Sequence, residues 1–412
     1  MKCIYIDKDE VLAFLHSEDY HLEGRSYEWE GEDVVHIHTV AQPHAFGHVA
    51  VAHWHKSQLP SEIIGPKQYH IVILSDNEAK AYYVNNDIQT EECVVNFIPS
   101  REEMYSRAKG ILEVDILSNK RVMIIGLGSF GSQIAIELAK AGVGEFALFD
   151  FDRVELHNLA RHTCTIKDLG RLKTNAIKDA IVGKNKVAKV DLFPINITDQ
   201  KDLMDEQVEK ADLIICTTDN NASRFYLTQC LLKYNKVALF GRAVTRAEGG
   251  DVFRHRPGGP CYNCLVGSRA HAMAMEEVTN RSQLPAYVSE EDANAIIQVG
   301  LSSDIEPICN LIVKLALVEL SRGEKSGIES LEIELDYDYY MWANRRERRH
   351  AGWAPFNNAK NQPTILKWYG ARIAKDENCP SCSINALLDL GDDLNTSSLG
   401  NNYEGIVLNI ED

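Results

Sequence analysis

Long apolar runs are missing from this sequence. No uninterrupted hydrophobic stretch in its 412 residues approaches the roughly 18 that a membrane-spanning helix needs, which excludes an embedded chain. Positive charge is also short: 43 Lys and Arg against 60 Asp and Glu give a formal net charge of −17. That balance speaks against a general binder of nucleic acid or anionic membranes, because either needs a dominant basic footprint. It leaves room for one local basic pocket around a phosphate ligand. Cysteine is scarce at ten residues, too few for a disulfide scaffold, and its grouping suits a metal site in a reducing compartment. The opening segment has no unbroken apolar core, since Asp7, Asp9 and Glu10 interrupt it, so no signal peptide is expected there. No internal repeat is found. What is present is an ordinary globular composition, 45% hydrophobic and 25% charged. A soluble cytoplasmic protein of two to three domains is expected.

Three zones follow one another. Residues 1–110 alternate short β-like runs (Val34 to Val40, Val49 to Trp54, Tyr69 to Leu74, Lys80 to Val84) with turn signals such as Ser75-Asp76-Asn77. This predicts a small β-rich or α+β domain. Residues 111–330 alternate apolar strands with amphipathic helices. Arg121 to Ile125, Glu145 to Asp150, Asp212 to Cys216 and Lys236 to Phe240 are near-continuous apolar runs, as parallel strands buried on both faces should be. Helical stretches such as Gln133 to Lys140 and Ser223 to Leu232 lie between them. The fold class predicted is α/β, a doubly wound, Rossmann-like, mostly parallel sheet. Residues 331–412 hold a strand-like segment, Glu332 to Tyr340, then a charged run from Arg345 to Arg349, and a polar tail expected to be mobile.

Chemistry is first suggested by Gly126-Leu127-Gly128-Ser129-Phe130-Gly131, which follows a predicted strand and opens a predicted helix. Gly126, Gly128 and Gly131 permit a tight turn and let backbone N–H groups approach phosphate oxygens at the positive end of the helix. Asp150 ends the next strand, about where an acidic residue accepts ribose hydroxyls. Nucleotide binding follows, but not which nucleotide; alone, the loop favours a dinucleotide oxidoreductase.

Three further motifs change that. Asp150-Phe151-Asp152-Arg153-Val154-Glu155-Leu156-His157-Asn158-Leu159-Ala160-Arg161 stands downstream, then Gly170-Arg171-Leu172-Lys173, then Cys216-Thr217-Thr218-Asp219-Asn220 at a strand end. With the glycine loop, these resemble the ThiF/MoeB and ubiquitin-activating-enzyme family of adenylating enzymes, over roughly residues 101–385. The departures are small. Ser129-Phe130 replaces the common Gly-Leu or Gly-Ile, and His162 follows Arg161 where Gln is usual.

Attack of a carboxylate on the α-phosphate of ATP brings two anions together, so cations must neutralise the charge that builds up. Lys173, Arg161 and Arg107 are suited to gripping the triphosphate, and Asn158 to hydrogen-bonding it. Asp219, at a strand C-terminus, can hold Mg²⁺. The resemblance implies that Asp150 takes the ribose, with Asp152 beside it in the nucleotide site, and that Arg107 reaches the ATP of the partner subunit in a homodimer.

Cys261-x-x-Cys264 and Cys379-x-x-Cys382 have the spacing that turns two thiolates toward one tetrahedral Zn²⁺. The long separation of the pairs is no objection, since each doubling of loop length costs only about 0.6 kcal/mol in closure entropy. A structural zinc is expected, tying the C-terminal zone to the core. Relatives that carry a ubiquitin-like protein onward use a nucleophilic Cys after the first knuckle, yet none occurs here between Cys264 and Cys309. Cys309, at the start of an apolar helix, and Cys164 are the candidate nucleophiles. Six histidines, His36, His38, His44, His48, His53 and His55, crowd residues 36–55 of the first zone. H-x-H on a strand puts both rings on one face, where a metal could sit. Of the Ser and Asp that a zinc isopeptidase would add, His36-x-His38 lacks the Ser, and His53-x-His55 is followed by Ser57, Ser61 and Glu62 but no fitting Asp, so partner docking is expected of that zone.

The expected activity is ATP-dependent adenylation of the C-terminal carboxylate of a ubiquitin-like or sulfur-carrier protein, for transfer to a thiol, with a downstream conjugating protein as a further partner. The alternatives are a small-molecule or tRNA-attached carboxylate, an NAD-dependent oxidoreductase, and a non-catalytic scaffold.

Overall fold

The computed structural model describes residues 2–29, 31–40, 48–59, 65–99, 104–108, 110–244, 247–273, 300–344 and 365–384. The chain divides into two units, Met1–Arg107 and Ala108–Asp412. Among the described residues no helix is long and apolar enough to cross a membrane.

Period-two alternation builds the first unit. Strands β1 (Cys3–Asp7), β2 (His21–Glu28), β3 (Val34–His38), β4 (His48–Lys56), β5 (Gln68–Ser75), β6 (Glu78–Val84) and β7 (Thr90–Ile98) close into a barrel in the order β1-β3-β2-β4-β5-β6-β7. The closing pair, β1 with β7, is parallel. Ile4, Ile6, Val35, Ile37, Trp54 and Ile71 fill the interior, and Val11 and Phe14 of helix α1 (Lys8–His16) join them. Asp7 and Glu10, read above as interruptions, have structural tasks. Asp7 Oδ1 caps α1 by accepting from Asp9 N at 2.8 Å, and Glu10 binds His38 Nδ1 at 2.8 Å. Strands alternate their faces, so the positions between the core residues carry histidines outward. His53 and His55 of β4 lie beside His21 of β2 and His70 of β5. His44 lies outside the described residues.

The second unit is an eight-stranded sheet in the order β10-β9-β8-β11-β12-β13-β14-β15. Strands β8 (Arg121–Ile125), β9 (Glu145–Phe149), β10 (Lys189–Phe193), β11 (Leu213–Cys216) and β12 (Ala238–Ala243) are parallel; β13 (Gly249–His255), β14 (Tyr339–Ala343) and β15 (Lys367–Ala371) continue antiparallel. Two apolar clusters cover the two sheet faces. After helix α2 (Val114–Ser118), α3 (Ser129–Lys140), α4 (Lys173–Val182) and the later helix Ser302–Leu320 contribute to one cluster. Helices α5 (Lys201–Lys210), α6 (Asn221–Tyr234) and α7 (Tyr262–Met273) contribute to the other. We number Ser302–Leu320 α8 and the short Ser330–Glu334 α9. The winding reverses between β8 and β11, which makes their C-terminal ends a topological switch point, where open α/β sheets leave a crevice for ligands.

Two sequence expectations are corrected. The run from Glu332 to Tyr340 does not form one strand. Its first part closes α9, because Glu332 accepts from Gly323 N and from Arg322 at 3.2 Å each, and pairing starts only at Tyr339. The strand expected from Lys236 begins at Ala238, because Asn235 ends α6 in the left-handed conformation (φ 49°). The charged run from Arg345 to Arg349 and the tail from residue 385 lie outside the described residues.

Candidate active site

At the switch point a cavity of about 750 Å³ opens over the ends of β8, β9, β11 and β12. Its floor is the glycine loop. Gly126 has φ +86°, a conformation that costs glycine little. A Cβ on Gly131 would lie 1.9 Å from the Gly126 carbonyl oxygen, so only glycine lets α3 start this close to β8. Gly128 is different, for a Cβ there would meet nothing within 4 Å, and its own space opens to the cavity it lines. Gly128 caps α3 without any side-chain hydrogen bond, which leaves first-turn N–H groups for an anion. Thr217, just past β11, donates from Oγ1 to the Gly126 carbonyl at 2.8 Å and locks the loop to the neighbouring strand end.

Asp150 follows β9. Its Oδ2 accepts from Leu127 N at 2.7 Å and its Oδ1 from Asp152 N at 2.8 Å. A carboxylate has about four acceptor sites, so capacity remains for ribose hydroxyls. Burial pushes the Asp150 carboxyl above its usual range, against the lowering pull of Lys173, whose Nζ stands 3.9 Å away. Lys173, the first residue of α4, is itself buried and donates to Asp152 Oδ2 at 2.8 Å. Asn158 lines the cavity while its Oδ1 accepts from Glu155 N at 2.9 Å, which leaves the amide nitrogen to donate. Arg161 and Asp219 also line it, and among the described residues neither side chain has a hydrogen-bond or ion-pair partner. Arg107, by contrast, is an exposed residue at the end of the first unit.

Other cavity groups carry no motif. His162 donates from Nε2 to the Leu127 carbonyl at 2.6 Å and accepts at Nδ1 from Cys164 N at 3.1 Å. Those two bonds fix one neutral tautomer, and burial holds its pKa down. It thus ties the Arg161 turn to the glycine loop. Arg224 is fully buried; it donates to the Thr218 carbonyl, next to Asp219, and to Tyr262 Oη at 3.3 Å. Asn220 caps the same helix by accepting from Ser223 N at 2.8 Å. At the β12 end, Arg242 donates from Nε and Nη2 to Asp251 at 2.9 Å, and Tyr339 Oη reaches the same carboxylate at 2.9 Å. Burial alone would lower the Arg242 pKa, but the Asp251 charge outweighs it and holds the guanidinium ionised. One rule could have found Arg242: strand C-termini line the crevice, and Arg242 is the next-to-last residue of β12.

Cys261, Cys264, Cys379 and Cys382 form a buried cluster whose sulfurs all lie within 4.8 Å of one another. The separations include 3.8, 3.5 and 3.4 Å. Sulfurs about 2.3 Å from a central Zn²⁺ stand roughly 3.8 Å apart in a tetrahedron, so the arrangement fits zinc and excludes a disulfide. Asp376 N donates to Cys264 Sγ at 3.5 Å, support of the kind that steadies a thiolate ligand. The two candidate nucleophiles are poorly placed for thioester chemistry. Cys309 and Cys164 are both buried, and burial raises both thiols, that of Cys164 to about 12.

A doubly wound sheet with a glycine loop, a strand-end acid and unpaired charges around one crevice defines a nucleotide-binding α/β protein. The ThiF family model matches residues 101–323, more than half of the chain, and the chain belongs to the ThiF family. It is 37% identical over 155 residues to the molybdopterin-synthase adenylyltransferase of Escherichia coli K12, a match covering 37% of this chain and 60% of that one. It is 29% identical over 197 residues to the maize adenylyltransferase and sulfurtransferase MOCS3-1, covering 47% of this chain and 41% of the relative. The chain thus spans about half the length of these relatives. Escherichia coli MccB, crystallised with AMPCPP and MccA, aligns with a TM-score of 0.49 at 19% identity, over 69% of this chain and 77% of that one.

Proposed function

We propose that this protein is an ATP-dependent adenylyltransferase that activates the C-terminal carboxylate of a ubiquitin-like or sulfur-carrier protein. The observation that carries this is the convergence of Gly128, Asp150, Lys173, Arg161 and Asp219 on one cavity at the switch point. Both relatives described above are named adenylyltransferases, which supports the same chemistry here.

In the proposed reaction a carboxylate oxygen of the carrier attacks the α-phosphorus of ATP. The bond from that phosphorus to the α,β-bridging oxygen breaks, pyrophosphate leaves, and the carrier ends as an acyl-adenylate. The α3 N-terminus and Arg161 bind the phosphates, and Asp150 with Asp152 orients the ribose. Lys173 leaves its bond with Asp152 to meet the charge that develops on the transferring phosphorus. Asp219 would hold Mg²⁺, which supplies charge neutralisation across the phosphate oxygens. Arg107 is proposed to complete the site of a second copy in a homodimer. Cys261, Cys264, Cys379 and Cys382 would hold Zn²⁺ as a structural tie. With Cys164 and Cys309 buried, the adenylate is proposed to pass directly to a thiol on a partner, and the five buried free thiols outside the cluster, Cys93, Cys164, Cys216, Cys230 and Cys309, suit a reducing cytoplasm.

ATP–pyrophosphate exchange tests the assignment. Carrier-dependent incorporation of labelled pyrophosphate into ATP is expected. Nucleotide binding without exchange, whatever carrier or small carboxylate is offered, would leave a scaffold.

A further inference from the structure

Tyr262 stands between two of the four clustered cysteines, Cys261 and Cys264, and opens α7. Its buried ring packs among Phe240, Phe225 and Phe253, with centroids 5.0, 5.6 and 6.3 Å away. A phenylalanine would fill that space as well. The hydroxyl makes bonds that packing does not require. Tyr262 Oη donates to Asn221 Oδ1 at 2.9 Å and accepts from Arg224 Nη1 at 3.3 Å. Both partners belong to the start of α6, the helix that follows the strand-end acid Asp219.

Arg224 carries the contact onward. Its guanidinium lies 5.9 Å from the Tyr262 ring centroid, and Nη2 donates to the Thr218 carbonyl. Arg224 is fully buried, and a buried charge is stable only against acceptors, so breaking one of these bonds is costly. Thr218 precedes Asp219, and Asn220 after it is fixed as the cap of α6, accepting from Ser223 N at 2.8 Å. Asp219 is exposed between these two pinned neighbours, so the backbone on either side sets where its carboxylate lies.

We infer that Tyr262 is a positioning residue for the nucleotide site. Through Asn221 and Arg224 it holds the Thr218 carbonyl, and with it the Asp219 carboxylate, in place for a divalent cation carried by the nucleotide. The inference rests on the proposed adenylation site, in which Asp219 would hold Mg²⁺, and adds that the cysteine knuckle reaches that site through one hydroxyl. Mg²⁺ demands near-ideal octahedral geometry, so a carboxylate ligand tolerates little displacement. The Arg161 turn is held from elsewhere, by His162 on the Leu127 carbonyl. Loss of the Tyr262 hydroxyl should therefore weaken cation-dependent binding and spare the binding of metal-free nucleotide.

The test is Tyr262→Phe in the full-length chain, which deletes the hydroxyl and keeps the ring. ATP affinity is measured by calorimetry with Mg²⁺ and without added divalent cation, and metal content by elemental mass spectrometry. Affinity for ATP with Mg²⁺ should fall roughly tenfold, the scale of one buried bond to a charged group, while metal-free affinity and zinc content match the wild type. Hydrogen exchange should rise over residues 217–221 and stay unchanged over 365–384, which a loosened cysteine cluster would raise instead. Asn221→Ala removes the acceptor at a partly exposed position and should move both readings the same way. Asp219→Ala should abolish the gain from Mg²⁺, and adding Tyr262→Phe to it should change nothing more. An undiminished Mg²⁺ gain in Tyr262→Phe overturns the inference, as does an equal loss of affinity with and without Mg²⁺, the mark of a general packing defect. A wild-type chain whose ATP affinity ignores Mg²⁺ overturns the assignment of Asp219 and the inference with it. None of these readings needs a carrier, so a failure of adenylation itself would show separately, in the pyrophosphate exchange.

Discussion

Lys173 and Asp219 carry opposite charges with opposite degrees of freedom. The lysine is buried and tethered to Asp152, while the aspartate is exposed at a strand end. Lys173→Ala or Asp219→Ala should leave the fold intact while lowering adenylation at least ~100-fold, the scale of a lost transition-state contact. Near-normal turnover in either variant removes that residue from the mechanism. His162 acts through the loop it holds. Losing one such bond is worth about 1 kcal/mol, so His162→Ala should raise KM for ATP by several-fold. His162→Gln, which keeps a side-chain donor, should recover most of it. The residues gathered at the cavity were legible because glycine spacing and strand-end acids leave marks in a sequence. Arg224 and Arg242 left none. A single arginine in a helix or strand looks like any surface cation until the Thr218 carbonyl or Asp251 is seen beside it.

At the scale of elements, Glu319 fastens α8 to the antiparallel half of the sheet. Its buried carboxylate accepts from Arg254 at 3.0 Å, Arg256 at 2.7 Å and Arg322 at 2.9 Å. Burial alone would raise the carboxyl, but the bonds from Arg322 and Arg256, with the charges of Arg256 and Arg254, hold it below its usual 4.5. A depressed carboxyl stabilises the fold above its unfolded pKa and loses that contribution as pH falls through its folded value. The second unit should therefore soften below about pH 4.5. Glu319→Gln should cost about 3 kcal/mol at neutral pH, the range for breaking a buried pair, and flatten that acid limb. Thermal melting from pH 7 to 3 reads both effects; an unchanged midpoint would deny the network its role. Chelating the zinc proposed for the four cysteines, or Cys379→Ser, should raise hydrogen exchange over residues 365–384 first, since two of the four proposed ligands lie there. The parallel strands were legible because burial on both faces makes a continuous apolar run, as in β8. β2 and β7 were missed because one face is wet and their sequences, HLEGRSYE and TEECVVNFI, mix charge into the strand. Local hydrogen bonds accepted by Glu332 likewise outweighed a strand-like pattern at α9.

At the scale of the whole molecule, the chain joins a closed barrel to a nucleotide-binding α/β unit. The class of the second unit could be read from βαβ alternation, whereas barrel closure depends on the parallel pairing of β1 with β7, ends of the unit that no local pattern links. An overall charge of −17 favours a carrier protein over tRNA as the bearer of the carboxylate. Intact mass spectrometry of the full chain mixed with ATP, Mg²⁺ and carrier proteins ending in glycine tests this most directly. A carrier heavier by one AMP, with this protein's own mass unchanged, is the expected result. A thiol-reversible increase in this protein's mass by one carrier would contradict direct hand-off and point to Cys309 or Cys164. No adenylated product from any carrier would contradict the proposed activity itself.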